Sequence, residues 1–360
     1  MHVPPAVLTF AAFAVALGVL VFVHEVGHFL VAKRVGVKVL RFSIGFGPVL
    51  LSRRRGETEY ALSAMPLGGY VKMLGEEDED EAQADPARAF STQHPLRRGA
   101  IVFAGPAMNF VFAFLAYAVL FATVGAEVPS TLPRVGGVAA GSPAARAGLE
   151  VDDRIVAIDG RPITSWEELS QGVLHSGGAR LTLEVERGGT RFTSQVTPEL
   201  KTDKNLFGEE MGRAYRIGIE ASHDWVRVGP IAAVGMAGEQ TWSATAIVAR
   251  GLALMVQGRV PLRDLGGPIA IAQAAGQQAR AGFRYFMSML AFLSINLGVL
   301  NLLPIPALDG GHLALFAIEG ALGRPLRPRH REIAQQVGLL LLLTLMVFVF
   351  YNDIHRLVQG

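Results

Sequence analysis

The chain has 360 residues, of which 51% are hydrophobic and only 18% charged, well below the roughly 25% charged of soluble proteins. A formal net charge of +2 is too small to point to nucleic acid, and no such partner is expected. Cysteine is absent, which excludes disulfides and thiolate metal sites and leaves His, Asp and Glu to hold any metal.

The first predicted element is an apolar helix over 6–32, AVLTFAAFAVALGVLVFVHEVGHFLVA. It lacks a basic leading region and is longer than a signal-peptide core, so it is expected to be retained. Residues up to Val23 are apolar or small; then His24-Glu25-Val26-Gly27-His28 brings two imidazoles and a carboxylate together. Successive helical residues turn by about 100°, so His24 and His28 share one face. Both rings can then reach one Zn²⁺ at about 2.0–2.1 Å. Glu25 lies beside that face, better placed to hold a water than to bind the metal. Ionisable groups at membrane depth are costly and mark function.

The link to the next apolar helix is basic, with Lys33, Arg34, Lys38, Arg41 and Arg53-Arg54-Arg55 among its charges. Within it, Gly45-Phe46-Gly47-Pro48 is a glycine-rich apolar piece suited to dip into the membrane beside the site. Thr58–Met65 alternates weakly as a strand, Pro66–Gly69 signals a turn, and Tyr70–Met73 returns as a second strand. The acidic run Glu76–Glu81 reads as a solvated loop. A second apolar helix follows over 100–124.

From Gly136 to Pro198 short strand-like runs, such as Arg154–Ile158 and Leu181–Val185, flank a helix. That helix opens at Ser165-Trp166-Glu167-Glu168, which has capping-box spacing, and runs to about Leu174. A domain of this size is just able to fold alone. Residues 229–258 carry few charges and read as an amphipathic helix at the outer membrane interface; a fifth span competes, but breaks the even count the charges support. Further apolar helices lie at 284–303 and 333–351; about 20 such residues suffice to cross a bilayer. The basic link 33–98 and Arg324, Arg327, Arg329 and Arg331 are expected on the cytoplasmic side. Both termini and the long link 125–283 then lie outside.

H-E-x-x-H supplies two ligands, whereas a catalytic zinc needs a third and an open position. The stretch Asn301-Leu302-Leu303-Pro304-Ile305-Pro306-Ala307-Leu308-Asp309-Gly310-Gly311-His312 is broken by two prolines. Irregular backbone at membrane depth is tolerated only inside protein or beside a cavity. Asp309 is the acid there and the candidate third ligand. His312 is a weaker candidate, whose plainer reading is a polar residue beyond the site.

Together these motifs resemble the site-2 protease family of intramembrane zinc metalloproteases, in its bacterial regulator-of-sigma-E protease branch. The resemblance spans essentially the whole chain. It is carried by VHEVGHFLVAKRVGV at 23–37, RFSIGFGP at 41–48, PLGGYVKMLGE at 66–76, FAGPAMNF at 103–110 and NLLPIPALDGGH at 301–312. A single PDZ-like domain adds Ser142–Leu149, Asp153-Arg154-Ile155 and Ile158-Asp159-Gly160. The PDZ pattern departs at Asp152, where glycine is usual; Asp tolerates positive φ better than most residues.

The resemblance implies a mainly α membrane protein. Four transmembrane helices, a membrane-associated β element and an inserted extracytoplasmic PDZ-like α+β domain are expected. The divisions are an N-terminal protease half at 1–124, the PDZ-like domain at 125–202, a linker and interfacial helix at 203–283, and a C-terminal protease half at 284–360. It implies one Zn²⁺ on His24, His28 and Asp309, with Glu25 as general base and Asn301 against the substrate backbone. Tyr60, Leu62, Gly45 and Gly47 join the substrate-binding set, because an edge strand within Tyr60–Met73 suits an extended substrate by β-addition. Expected partners are the lipid bilayer and single-pass transmembrane substrates already cut by another protease, such as anti-sigma factors, along with remnant signal peptides. The PDZ-like domain is expected to filter them by ectodomain size. The expected location is the bacterial cytoplasmic (inner) membrane, with the active site toward the cytoplasm. A non-catalytic PDZ-bearing scaffold is the alternative, disfavoured because Glu25 and Asp309 are both retained. A transporter with an ion on its broken helix gives no reason for H-E-x-x-H.

Overall fold

The computed structural model describes residues 4–76, 79–204, 210–260, 266–324 and 326–359. In chain order the elements are α1 (Pro5–Arg34), β1 (Val39–Arg55), β2 (Thr58–Met73), α2 (Glu79–Ala84), α3 (Pro95–Thr123), β3 (Ala126–Pro129), β4 (Val135–Val138), α4 (Pro143–Arg146), β5 (Arg154–Ile158), β6 (Arg161–Pro162) and α5 (Trp166–Leu174). They continue with β7 (Leu181–Arg187), β8 (Thr190–Val196), β9 (Glu199–Lys204), β10 (Glu210–Arg216), β11 (Ile219–Ala221), β12 (His223–Val226), α6 (Pro230–Val256), α7 (Pro268–Ala281), α8 (Phe283–Asn301), α9 (Asp309–Leu322) and α10 (Pro328–Gln359). The chain divides into one unit of residues 1–123 and 229–360 and a second of Val124–Val228.

In the first unit, the helices long and apolar enough to cross a membrane among the described residues are α1, α3, α8 and the stretch Glu332–Val358 of α10. These are the four apolar helices expected. α1 and α3 come unusually close at Gly27, where an added Cβ would lie 2.1 Å from the Ala104 carbonyl oxygen. Such an approach needs small residues, the rule for helices packed in a membrane. The helix expected over 229–258 is present as α6. It lays Ala237, Ala244 and Val248 against Ala113 and Tyr117 of α3 and Ile295 of α8. α7 lies in the stretch expected to be linker. The residue at its N-cap, Gly267, has no side chain to cap the helix. The buried Asp353 of α10 caps it instead, accepting from the N–H groups of Gly267 (2.9 Å), Ile269 (2.9 Å) and Ala270 (3.2 Å).

The β element differs from expectation in its turns. β1 and β2 form one long antiparallel hairpin that closes at Gly56-Glu57, between the paired Arg55 and Thr58. Gly56 takes φ of 64°, and Glu57 is held by Arg88 (2.6 Å) and Lys33 (3.1 Å). The expected turn at Pro66–Gly69 is instead a bend within β2. The hairpin then curls on itself: Arg41–Ile44 pair with Glu59–Leu62 on one side and with Gly69–Lys72 on the other. The result is a sheet whose segments run 69–73, 39–44, 58–63, 49–55. Gly45 and Gly47, at φ of 90° and 84°, make the bend in β1 that this crossing needs. The acidic run read as a loop enters helix α2 at Glu79; residues 77 and 78 lie outside the described ones.

In the second unit, a sheet of order β6-β5-β7-β8 packs its alternating apolar residues, Ile155, Leu183 and Val185 among them, against Leu169 and Val173 of α5. The capping box at Ser165 is formed in both directions. Asp152 adopts φ of 72°, the conformation that a glycine would usually supply. The expected boundary at 202 is displaced. β11 pairs with β4 and β12 with β3, so the chain through Val228 belongs to this unit. Those returning strands satisfy backbone groups that short β3 and β4 would otherwise leave open.

Candidate metal centre

α1 presents His24 and His28 one turn apart, both buried. Their Nε2 atoms lie 3.1 Å apart. α3 crosses behind them and fixes each ring. His28 donates its Nδ1–H to the Ile101 carbonyl at 2.9 Å, which leaves the Nε2 lone pair free. The Asn109 amide sits 3.1 Å from His24 Nδ1, and Asn109 Oδ1 is buried without a partner. Exchanging the two ends of that amide satisfies Oδ1 with the Nδ1–H and frees His24 Nε2 in the same way. Between these contacts is Gly105, where an added Cβ would lie 2.3 Å from His28 Nε2 and 2.8 Å from His24 Cε1. Only glycine lets the two rings stand this close to α3.

The broken stretch after α8 delivers Asp309 as the first residue of α9. Its Oδ2 lies 3.0 Å from His24 Nε2 and 3.7 Å from His28 Nε2, and it is buried with no hydrogen-bond donor. With each ring carrying its proton on Nδ1, the two Nε2 lone pairs and the carboxylate oxygen face one another and repel, and a cation relieves that repulsion. Ligands of a tetrahedral zinc with bonds of 2.0–2.1 Å stand about 3.3 Å apart, which this trio approximates. His24, His28 and Asp309 are also the one group of metal-capable side chains found among the described residues. The donor set, two neutral imidazoles and a carboxylate, suits zinc.

A cavity of about 700 Å³ opens on the trio and is lined further by Glu25, Tyr70, Val71, Glu76 and His312. Glu25 does not join the trio; the Val71 backbone N–H is hydrogen-bonded to its carboxylate. That N–H belongs to segment 69–73, which has a sheet partner on one side only. Gly69 packs against the Glu25 stem, 3.3 Å from Cγ to an added Cβ.

Not every expected residue comes to this point. Tyr60 and Leu62 lie in the inner segment 58–63, paired on both sides, and line a separate apolar cavity of about 630 Å³ with Phe22, Val26 and Phe29 of α1. Gly45 and Gly47 stand at the bend of β1 and are not among the residues lining the cavity over the trio. Asn301 ends α8, half-buried, and is likewise not among them. His312 reaches the cavity but is outside the ligand trio. Ile101, Gly105 and Asn109 were missed. Asn109 had a signal: it is an amide inside an apolar helix, where a polar side chain needs a reason.

Comparison with known proteins places the chain in a family. The model of peptidase family M50 matches residues 12–345. A putative zinc metalloprotease of Brucella suis is 38% identical over 96% of this chain and 95% of its own. One of Neisseria meningitidis is 33% identical over 97% and 99%. The regulator of sigma-E protease of Salmonella typhimurium is 34% identical over 96% and 98%. Among solved structures, the PDZ domain of an SdrC-like protein of Listeria monocytogenes aligns with 26% of this chain and 90% of that one, at 24% identity and a TM-score of 0.20. With a family model running from α1 into α10 and relatives matched nearly end to end, the chain belongs to peptidase family M50, the site-2 type of zinc metalloprotease.

Proposed function

We propose that this protein is an endopeptidase of the bacterial inner membrane that cuts the transmembrane segments of single-pass proteins. Anti-sigma factors already shortened by another protease, and remnant signal peptides, are the substrates this reading favours. The observation that carries it is the meeting of His24, His28 and Asp309, from helices far apart in sequence, beside a cavity that also holds Glu25. A catalytic site on a helix built to cross a bilayer suits a substrate that lies in the same bilayer.

His24, His28 and Asp309 would hold a single zinc ion. When bound there, zinc supplies Lewis-acid polarisation of a carbonyl and brings the pKa of a water down to about 7. Glu25 is the general base: its carboxylate takes the proton of the attacking water and returns it to the leaving amine. The Val71 N–H holds that carboxylate toward the cavity. A helical substrate hides its carbonyls in hydrogen bonds and must unwind, which is unfavourable in lipid. Segment 69–73 is paired on one side only and accepts the unwound strand by β-addition at the outer-edge groups beside Val71 and Met73, whose own N–H groups are held by Glu25 and Glu76. This transfers the docking role from Tyr60 and Leu62, whose backbone is already paired, to Gly69–Met73. Asn301 steadies the substrate backbone from the C-terminal half.

The second unit, with the PDZ-like motifs at 142–160, excludes substrates that retain a large ectodomain. The basic links support a topology with both termini and this unit outside the cytoplasm, and with the metal centre opening toward the cytoplasmic side.

The test is cleavage of a single-pass model substrate by the wild type and by Glu25→Gln, with zinc measured in both. Retained zinc with cleavage reduced at least a thousandfold is expected of the variant; equal cleavage by the two proteins rules the reading out. Replacing residues 124–228 by a short linker should admit substrates with intact ectodomains, and their continued exclusion removes the filter.

A further inference from the structure

The two halves of the metal centre, α1 with α3 and the later α9, are joined by a polar contact outside the ligand set, whose Arg98 and Phe316 also line the cavity over the trio. Arg98, in the first turn of α3, places Nη2 2.6 Å from Glu319 Oε2 on α9. The side chains are 5% and 1% exposed, so the pair is shielded from water. The Arg98 guanidinium also lies over the Phe316 ring, 4.5 Å from its centroid, one turn before Glu319 on the same helix. The other carboxylate oxygen, Glu319 Oε1, accepts from the Leu326 N–H at 3.0 Å and so ties in the chain that leads to α10.

The contact spans 221 positions of sequence. α3 is the helix that orients both imidazoles, through Ile101, Gly105 and Asn109. α9 is the helix that begins with Asp309. A rigid link between them sets how far Asp309 stands from the rings. A planar guanidinium that both stacks and pairs fixes rotation as well as distance, which a lysine cannot do. Burying such a pair contributes little to net stability, because desolvation offsets the attraction; its usual return is a specified arrangement.

We propose that Arg98 and Glu319 are positioning residues that hold α9 in register with α3 and thereby set the third metal ligand. The proposal rests on Asp309 being a ligand, a reading that zinc binding by Asp309→Ala tests separately.

The decisive variant is Arg98→Met with Glu319→Met, which removes both charges and leaves neither unpaired. Replacing both members of a buried pair by apolar groups keeps stability close to that of the wild type. Because the chain has no cysteine, Phe103→Cys on α3 and Leu322→Cys on α9, both exposed, accept spin labels at unique sites. Three readouts are taken: melting temperature, zinc affinity by chelator competition, and the label-to-label distance in metal-free protein. With melting unchanged, the double variant is expected to bind zinc 10–100-fold more weakly, as lost outer-sphere contacts do, and to show a broadened α3–α9 distance distribution. Wild-type affinity and a wild-type distance distribution at unchanged melting overturn the proposal. If the double variant does not fold, Arg98→Lys carries the test. It keeps the charge without the planar fork; a loss of zinc affinity of threefold or more supports the register role, and unchanged affinity overturns it.

Discussion

The halves of the proposed metal centre are built by different means. On α1 the two imidazoles meet because of local geometry: any helix with His at these positions brings them to one face. Asp309 has no such guarantee. It arrives after a proline-broken stretch, and its distance to the rings is set by how α9 packs against α3. The first half is a property of one turn of helix, the second a property of tertiary structure. Substitutions that leave both histidines in place can therefore still abolish the site, and α3, which carries no ligand, becomes as decisive as the ligands.

The largest effect expected from that contrast is at Gly105. Gly105→Val forces a side chain into the imidazole rings, so zinc affinity should fall more than a hundredfold while α1 stays helical. Zinc retained through dialysis against a mild chelator would show that α3 does not control the site. Next comes Asn109→Ala, which frees the His24 ring without crowding it. Loss of such an outer contact typically costs 10–100-fold in metal affinity, read by chelator competition. A smaller effect is expected from Asp353→Ala. It removes the acceptor for the first N–H groups of α7, a change worth about 1–2 kcal/mol of local stability. Faster hydrogen exchange confined to the first turns of α7, with zinc affinity unchanged, is the expected signature.

The smallest effect separates the two units by pH. Burial raises the affinity of the Asp153 carboxyl for its proton. The hydrogen bonds from Arg187 (2.7 and 2.8 Å) and the Glu150 N–H outweigh burial, so the group is held below the ordinary aspartate value. A depressed carboxyl stabilises the fold above its unfolded-state value of about 3.9, and that contribution is lost as pH falls below it. Exchange protection in residues 124–228 should weaken below about pH 4, and Asp153→Asn should remove that dependence.

The same contrast governs what could be read from residues alone. The four apolar helices, the pairing of His24 with His28 and the capping box at Ser165 depend on neighbours within a few positions, and each is found in the structure. Asp309 was singled out by elimination, since no cysteine competes and the prolines mark an irregular backbone. The curl of the hairpin was not readable, because Arg41–Ile44 pair on both sides with stretches of β2 that local alternation does not distinguish. The return of Ile219–Val226 to β4 and β3 was hidden for the same reason. Asn109 and the Arg98–Glu319 pair act across 85 and 221 positions, and only the packed helices bring them into reach.

The central claim is that His24, His28 and Asp309 hold one zinc ion together. X-ray absorption at the zinc edge, on the wild type and on Asp309→Ala at equal protein concentration, tests it most directly. Two imidazole nitrogens and a carboxylate oxygen at about 2.0–2.2 Å are expected in the wild type, with a zinc content in the variant reduced at least tenfold. A wild-type spectrum without two imidazoles, or a variant that binds zinc as tightly as the wild type, would contradict it.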